Sequence, residues 1–263
     1  MERLLHGPDA VTPCARLAVF IALGAGLCAA PATAQDTCPC PPEPKPGWRG
    51  GLGAGLSLTS GNTDTRTHNL SLDATYDPKT VHVFRIDGFY LLSATDGVES
   101  ADRAAAGLRY ERKLDGRAFA FGETRFQRDR FKQLASLVTP SVGAGYKLVD
   151  RETLTVSADA GAGFAFEKLE DQDATTSGAL RAGQTLAWKV SPSATVIQVA
   201  AAVWKTDELA DAFYHLEVAL TTSVARRLEL KVSAISDIKN RPATPALQKR
   251  DDAFLAALVF KLQ

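Results

Sequence analysis

From Trp48 to the C-terminus, apolar and polar positions alternate with a period of two, in stretches separated by turn residues. "LGAGLSLTSGNTDTRTHNLSLDATYD" (Leu52 to Asp77) sets the pattern. Leu52, Ala54, Leu56 and Leu58 alternate with Gly53, Gly55, Ser57 and Thr59; Leu70, Leu72, Ala74 and Tyr76 alternate with Asn69, Ser71, Asp73 and Thr75. That period is a β-strand whose two faces meet two different surroundings. About twelve strands are expected, near 49–59, 65–76, 80–92, 101–113, 117–127, 137–149, 152–166, 178–190, 194–205, 212–225, 227–238 and 251–262. The seventh turns Leu154, Val156, Ala158, Ala160, Ala162, Phe164 and Phe166 one way. The tenth sets Leu216 and Val218 against His215 and Glu217, and the last supplies Phe254, Leu258 and Phe260. Two fit badly: the fifth puts Phe119 and Phe121 on its mostly polar side, and the ninth is apolar on both faces.

The connections carry a second pattern. After even-numbered strands they are tight and rich in turn chemistry: "DPK", "LDGR", "DRE", "SPSA" and "ARR". After odd-numbered strands most are longer and polar: "TDGVES", "DRFKQLAS", "KLEDQDATTS", "TDELAD" and "NRPATPALQKR", with "SGNTD" the shortest. Short turns on one rim and long loops on the other are the asymmetry of outer-membrane barrels. The polar face is rich in Gly, Ser and Thr with charges of both signs, whereas the outward face of a soluble sandwich is densely charged. The expected fold is therefore all-β: an antiparallel transmembrane β-barrel of about twelve strands, with short periplasmic turns and longer external loops. A soluble periplasmic barrel is the alternative. Leu52, Leu56, Leu58, Leu72, Phe164, Leu216, Phe254, Leu258 and Phe260 are expected to face lipid. Arg85, Asp87, Arg109, Glu111, Asp159, Arg181, His215, Glu217 and Lys231 are expected to face the lumen. Tyr76, Tyr90, Tyr110, Tyr146, Trp188, Trp204 and Tyr214, on or near strands, suit interfacial girdles.

Composition narrows the picture. The chain has 263 residues; its 30 basic and 30 acidic side chains cancel, which gives no reason to expect nucleic acid as a partner. Charged residues make up 23%, too many for a bundle of membrane helices but compatible with a barrel that keeps them in its lumen and loops. At the N-terminus, Arg3 and Arg16 precede "LAVFIALGAGLCAA", followed by Ala32-Thr33-Ala34. This reads as a signal peptide over 1–34, cleaved between Ala34 and Gln35. The long charged stretch ahead of the apolar run leaves the true start codon open. A Pro-rich periplasmic linker follows over 35–48, with Cys38 and Cys40 too close for an unstrained disulfide and too few for a closed metal site. The barrel fills 49–263. The location expected is the outer membrane of a Gram-negative bacterium, and the partners are outer-membrane lipid and the barrel-insertion machinery. That machinery would read "AFLAALVFKLQ", which ends on Gln263 rather than an aromatic.

"WRGGLGAGLSLTSGNTDTRTHNLSLDATYD", "GLRYERKLDGRAFAFGETRFQRD", "PSVGAGYKLVDRETLTVSADAGAGF" and "KRDDAFLAALVFKL" resemble the salt-induced outer-membrane proteins, domain of unknown function 481. The similarity runs from about Trp48 to the C-terminus, and the "SLTSGNTDT" hairpin is its most specific part. The resemblance implies an outer-membrane barrel responsive to salt or osmotic conditions, and carries no catalytic residues to transfer.

The sequence offers little chemistry of its own. His68 and Ser71 fall on opposite faces of a strand; His215 and Glu217 share a face, but no Ser stands two residues from that His. "DQDATTSG" lacks the glycine and terminal carboxylate of a calcium loop, and the three "GAG" triplets open no helix that could cradle phosphate. No cofactor, metal or enzymatic activity is expected. The leading expectation is a narrow pore for ions or small solutes, since twelve strands lie between side-chain-filled eight-stranded barrels and open porins. A structural, envelope-stress barrel with a closed lumen is the alternative, and a lipid-modifying enzyme ranks third.

Overall fold

A computed structural model describes residues 47–59, 65–114, 116–242 and 248–262; the side chains of 57–59 and 65 are outside that description. The expected cleavage between Ala34 and Gln35, the linker with Cys38 and Cys40, the "SGNTD" connection and the side chains of Ser57 and Leu58 all lie outside the described residues.

The strands are β1 (Gly47–Thr59), β2 (Thr65–Asp77), β3 (His82–Thr95), β4 (Val98–Lys113), β5 (Ala118–Asp129), β6 (Leu134–Asp150), β7 (Leu154–Leu169), β8 (Thr175–Ser191), β9 (Ala194–Lys205), β10 (Ala212–Ala225), β11 (Leu228–Lys239) and β12 (Arg250–Leu262). Each pairs antiparallel with its sequence neighbours. Pairing of β12 with β1, from Gly50 opposite Leu262 to Ala54 opposite Leu258, closes the sheet into a barrel with no free edge. The sequence pattern places all twelve strands, and β9 and β10 keep their expected limits.

The odd-to-even rim departs from expectation. "TDGVES" is no long loop: β3 runs to Thr95, β4 starts at Val98, and Asp96 and Gly97 alone make the turn, both with positive φ (51° and 79°). Asp-Gly in that conformation is a two-residue turn whose twist matches the flanking strands. In "DRFKQLAS" a 3₁₀ turn, Arg130–Lys132, is capped by the Asp129 carboxylate, which accepts from the Lys132 amide at 3.2 Å. The polar residues expected as loop in these segments partly continue the ladders beyond the rim.

The outer face is apolar along its length. Leu52, Leu56, Leu70, Leu108, Val142, Phe164, Phe254 and Leu258 are all exposed there, Phe254 at 83%. A molecule in water would bury such residues; here they have no protein to pack on. Near the short-turn rim, register sets Trp48, Tyr76, Phe84 and Tyr110 side by side on four successive strands. Their ring centroids are 5.3, 6.5 and 5.0 Å apart. At the opposite rim the Trp204 indole donates to the Tyr214 hydroxyl at 3.3 Å, edge to face. Each aromatic pair adds about 0.5–1.5 kcal/mol beyond its buried area. The outer face thus carries an apolar band with aromatic rings at both ends.

Candidate functional site: the lumen

Alternation turns the second residue set inward. Arg85, Asp87, Arg109, Glu111, Asp159, Arg181, His215, Glu217 and Lys231 all project from the inner face, where each is paired and Asp87, Arg109, Asp159 and Arg181 reach partners on non-neighbouring strands. Leu52, Leu56, Leu72, Phe164, Leu216, Phe254, Leu258 and Phe260 occupy the outer face.

One wall of the lumen is filled. Arg109 on β4 donates from Nε to Glu111 Oε1 at 2.7 Å, from Nη1 to Glu123 Oε2 at 2.8 Å and from Nη2 to Asp159 Oδ2 at 3.1 Å. Arg181 on β8 donates to Glu123 Oε1 at 3.0 Å and also to Asp159. Arg85 closes the set on Glu111 at 2.6 Å. The centre of this network is nearly dry, with the Glu123 side chain 3% exposed and Arg181 11%. Both guanidinium groups lie over Phe121, at 4.1 Å (Arg109) and 5.2 Å (Arg181) from its centroid, and Arg109 is 5.8 Å from Phe119. The misfit of the fifth strand is thereby explained: Phe119 and Phe121 do face inward, as a floor for the arginines.

Glycine makes room for that floor. Gly143 and Gly145 on β6 and Gly161 on β7 lie under the two rings. A Cβ on Gly143 would stand 2.8 Å from Phe121 Cε1, and one on Gly145 would stand 2.6 Å from Phe119 Cε2. Two of the "GAG" triplets thus serve as seats for large side chains as well as sites of close strand approach. The same device recurs at Gly107, whose Cβ would run into the Asp87 carboxylate; the gap lets Arg125 on β5 reach across β4 to Asp87 at 3.0 Å.

Towards the long-loop end the lumen narrows. Leu134, Leu137, Ala165 and Ala179 form an apolar cluster, with Leu169 and Val203 packed against it. Beside it Glu167 on β7 accepts from Lys205 on β9 at 2.5 Å and from Lys239 on β11. Arg103 on β4 pairs with Asp129 at 3.1 Å and with Asp237 on β11, which also holds His215 Nδ1 at 2.6 Å. β4 and β11 stand five positions apart around a ring of twelve, so the Arg103–Asp237 pair crosses the lumen. Lys132, beyond β5, crosses likewise to Asp251 on β12 at 2.6 Å.

The remaining wall, from β10 through β12 and β1 to β3, stays open. Lys231 pairs with Glu217 at 3.0 Å, and both are partly exposed. Side chains of Asp87 and Arg85 are 47% and 48% exposed inside the barrel. At the short-turn mouth a cavity of roughly 470 Å³ is lined by Arg49, Asp73, Thr75, Arg85, Glu229 and Lys261 among others.

Breaking the dry network by Glu123→Gln will cost about 3–5 kcal/mol, because two arginines lose a shared anion in a site without water. Urea unfolding in detergent micelles checks this. A loss under about 1 kcal/mol, the scale of an exposed pair, would show the network to be solvated.

A model of the family described as "Protein of unknown function, DUF481" matches residues 52–262. The chain belongs to this family. No curated protein matches the DUF481 chain. Among solved structures it is similar to one titled as the NanC porin, at 10% identity and a TM-score of 0.50, covering 81% of this chain and 100% of that one. The COG4313 outer membrane channel from Pseudomonas putida F1 gives 11% identity and a TM-score of 0.49, covering 83% and 96%. At these identities the likeness is one of fold: a closed antiparallel barrel shared with a porin.

Residues that the sequence reading left unassigned in this DUF481 barrel include Arg103, Glu123, Asp129, Lys205, Asp237 and Lys239. Their inward direction was readable from the period; their partners, up to five strands away, were not. His68 is exposed on the outer face and Ser71 turns inward, so the two do not meet. Among the described residues no group of three or more His, Cys, Asp or Glu could hold a metal ion.

Proposed function

We propose that the protein is a narrow outer-membrane pore for ions or small polar solutes, with its apolar band in lipid and its aromatic rows at the two interfaces. The observation that carries this reading is the charged, half-exposed wall formed by Asp73, Arg85, Asp87, Glu217 and Lys231. Charges of both signs with free surface inside a barrel keep water there and set ion preference. The exposed apolar band supports the membrane setting, since open water would leave it without a partner. A link to salt or osmotic conditions rests on the family resemblance alone.

A sealed barrel is the second reading, favoured by the Arg103–Asp237 pair across the lumen and the apolar cluster beside it. Single-channel recording in a planar bilayer decides between them, using protein whose gel mobility shifts on boiling. Discrete, reproducible steps are expected. Silence from a heat-modifiable preparation would replace the pore with the sealed barrel.

A further inference from the structure

We propose that the cavity at the short-turn mouth is a binding site for a small zwitterion, a solute carrying both a carboxylate and an ammonium group. The proposal deepens the pore reading and rests on it in one respect: the mouth must be open to solutes.

The site follows from register. Arg49 on β1 lies opposite Thr75 on β2, and Thr75 lies opposite Arg85 on β3, so the three side chains stand in one row on the inner face. Adjacent strands are about 4.8 Å apart, which sets the two arginine backbones about 10 Å from each other across the threonine. Two guanidinium groups on such long stems can converge on one carboxylate above the Thr75 hydroxyl. Both have donors to spare. Arg85 gives Nη1 to Glu111, and a guanidinium has five N–H donors. Arg49 has only a loose pair, 3.8 Å from Asp77, and its side chain is 45% exposed.

The anionic half is Asp73. It sits two residues from Thr75 on the same face of β2, about 7 Å along the strand, opposite Gly51 and Asp87. Gly51 contributes no side chain, which leaves Asp73 open. Among the described residues no cation lies within ion-pair distance of Asp73; Lys231, which is held by Glu217 at 3.0 Å, acts on it only from farther off. Lys261, also in the cavity lining, is held by Glu229 at 2.5 Å. The mouth therefore presents two cations with unused donors and one carboxylate without an ion-pair partner, at neighbouring inward positions of three adjacent strands. A ligand with only a carboxylate would face Asp73 unpaired, and one with only an ammonium would face two arginines. A zwitterion satisfies all three, and the match of charges supplies the discrimination.

Isothermal titration calorimetry on the full protein in detergent tests this, with L-alanine, acetate and methylammonium as probes. Saturable heat is expected with alanine, and binding of the two single-charge probes is expected to be about tenfold weaker or more, a difference of about 1.4 kcal/mol. Asp73→Asn should weaken alanine by a similar factor while leaving acetate unchanged or tighter; Arg49→Gln should weaken both. Equal affinities for alanine and acetate in the native protein, absence of saturable alanine heat, or an unchanged alanine affinity in Asp73→Asn would each overturn the proposal. The native ranking needs no variant, so it stands even if one fails to fold. Calorimetry also needs no current. A barrel that binds alanine but stays electrically silent would keep the site and lose the pore; a conducting barrel indifferent to alanine would do the reverse.

Discussion

Replacing Gly145 by alanine will destabilise the barrel by about 1–3 kcal/mol, the usual cost of forcing an extra carbon into a filled space, and the same replacement will cost less in a Phe119→Ala background. The new Cβ would overlap the edge of the Phe119 ring and stand 2.8 Å from Asp159 Cβ. Neither neighbour has an easy way out. Phe119 is 6% exposed, and Asp159 is held by both Arg109 and Arg181. Moving the ring would disturb the guanidinium that lies over it, so one carbon on β6 is felt on β4 and β8. Phe119→Ala alone removes a buried aromatic side chain, at about 3–5 kcal/mol. In the double variant the alanine at 145 fills space the ring has left, and the combined loss falls short of the sum. Urea unfolding in detergent, read by the mobility difference between folded and unfolded barrel, gives the three values. Strictly additive losses would mean that Gly145 and Phe119 do not press on each other, and the glycine would then serve strand curvature alone.

How much of this could be read from the chain differs from feature to feature. Strand number and facing follow from alternation, because each residue's side is fixed by its parity along the strand and the register only has to be consistent. Arg85, Arg109, Asp159 and Arg181 were legible as one inward set for that reason. The meeting of Arg109, Asp159 and Arg181 at Glu123 was not, because side chains from β4, β5, β7 and β8 reach one another there only where the sheet curls. Phe119 and Phe121 did leave a trace: two large rings on a polar face, together with "GAG" at 143–145 and 161–163. Bulk on one strand facing absent side chains on the next is a complementary pair, visible only when the register of β5 on β6 is known. The "TDGVES" segment misled for a different reason. Polar composition marks exposure to water, and a hairpin that projects beyond the barrel is as exposed as a loop. Asp96-Gly97 was the true signal, since that dipeptide favours a two-residue turn whatever surrounds it.

For the pore proposed above, shortening Arg103 to alanine should raise unitary conductance by about a factor of two or more, because a side chain that spans a lumen between the filled eight-stranded and the open sixteen-stranded size is then cleared from it. Arg103 starts on β4 and ends on Asp237 of β11, so it occupies the bore rather than its margin. Its removal leaves Asp237 with His215, and Asp129 with the Lys132 amide. Two carboxylates then face the widened passage with less compensation, and selectivity should move towards cations. Leaving them underpaired also weakens the fold by up to about 3–5 kcal/mol, so the variant must first be shown to retain its heat-modifiable mobility. Arg103→Met separates the two causes. Methionine keeps much of the side chain's length without its charge, so a bore limited by bulk should stay narrow with Met and open only with Ala. A bore held shut by the ionic bond should open with both, because nothing then ties β4 to β11 at that level. Native conductance in the alanine variant would place the constriction elsewhere, at the Glu167–Lys205–Lys239 cluster or the leucines beside it. Those residues lie on the β6–β9 side, with Lys239 reaching over from β11, so the pore would then be controlled by one wall rather than by a bridge between two.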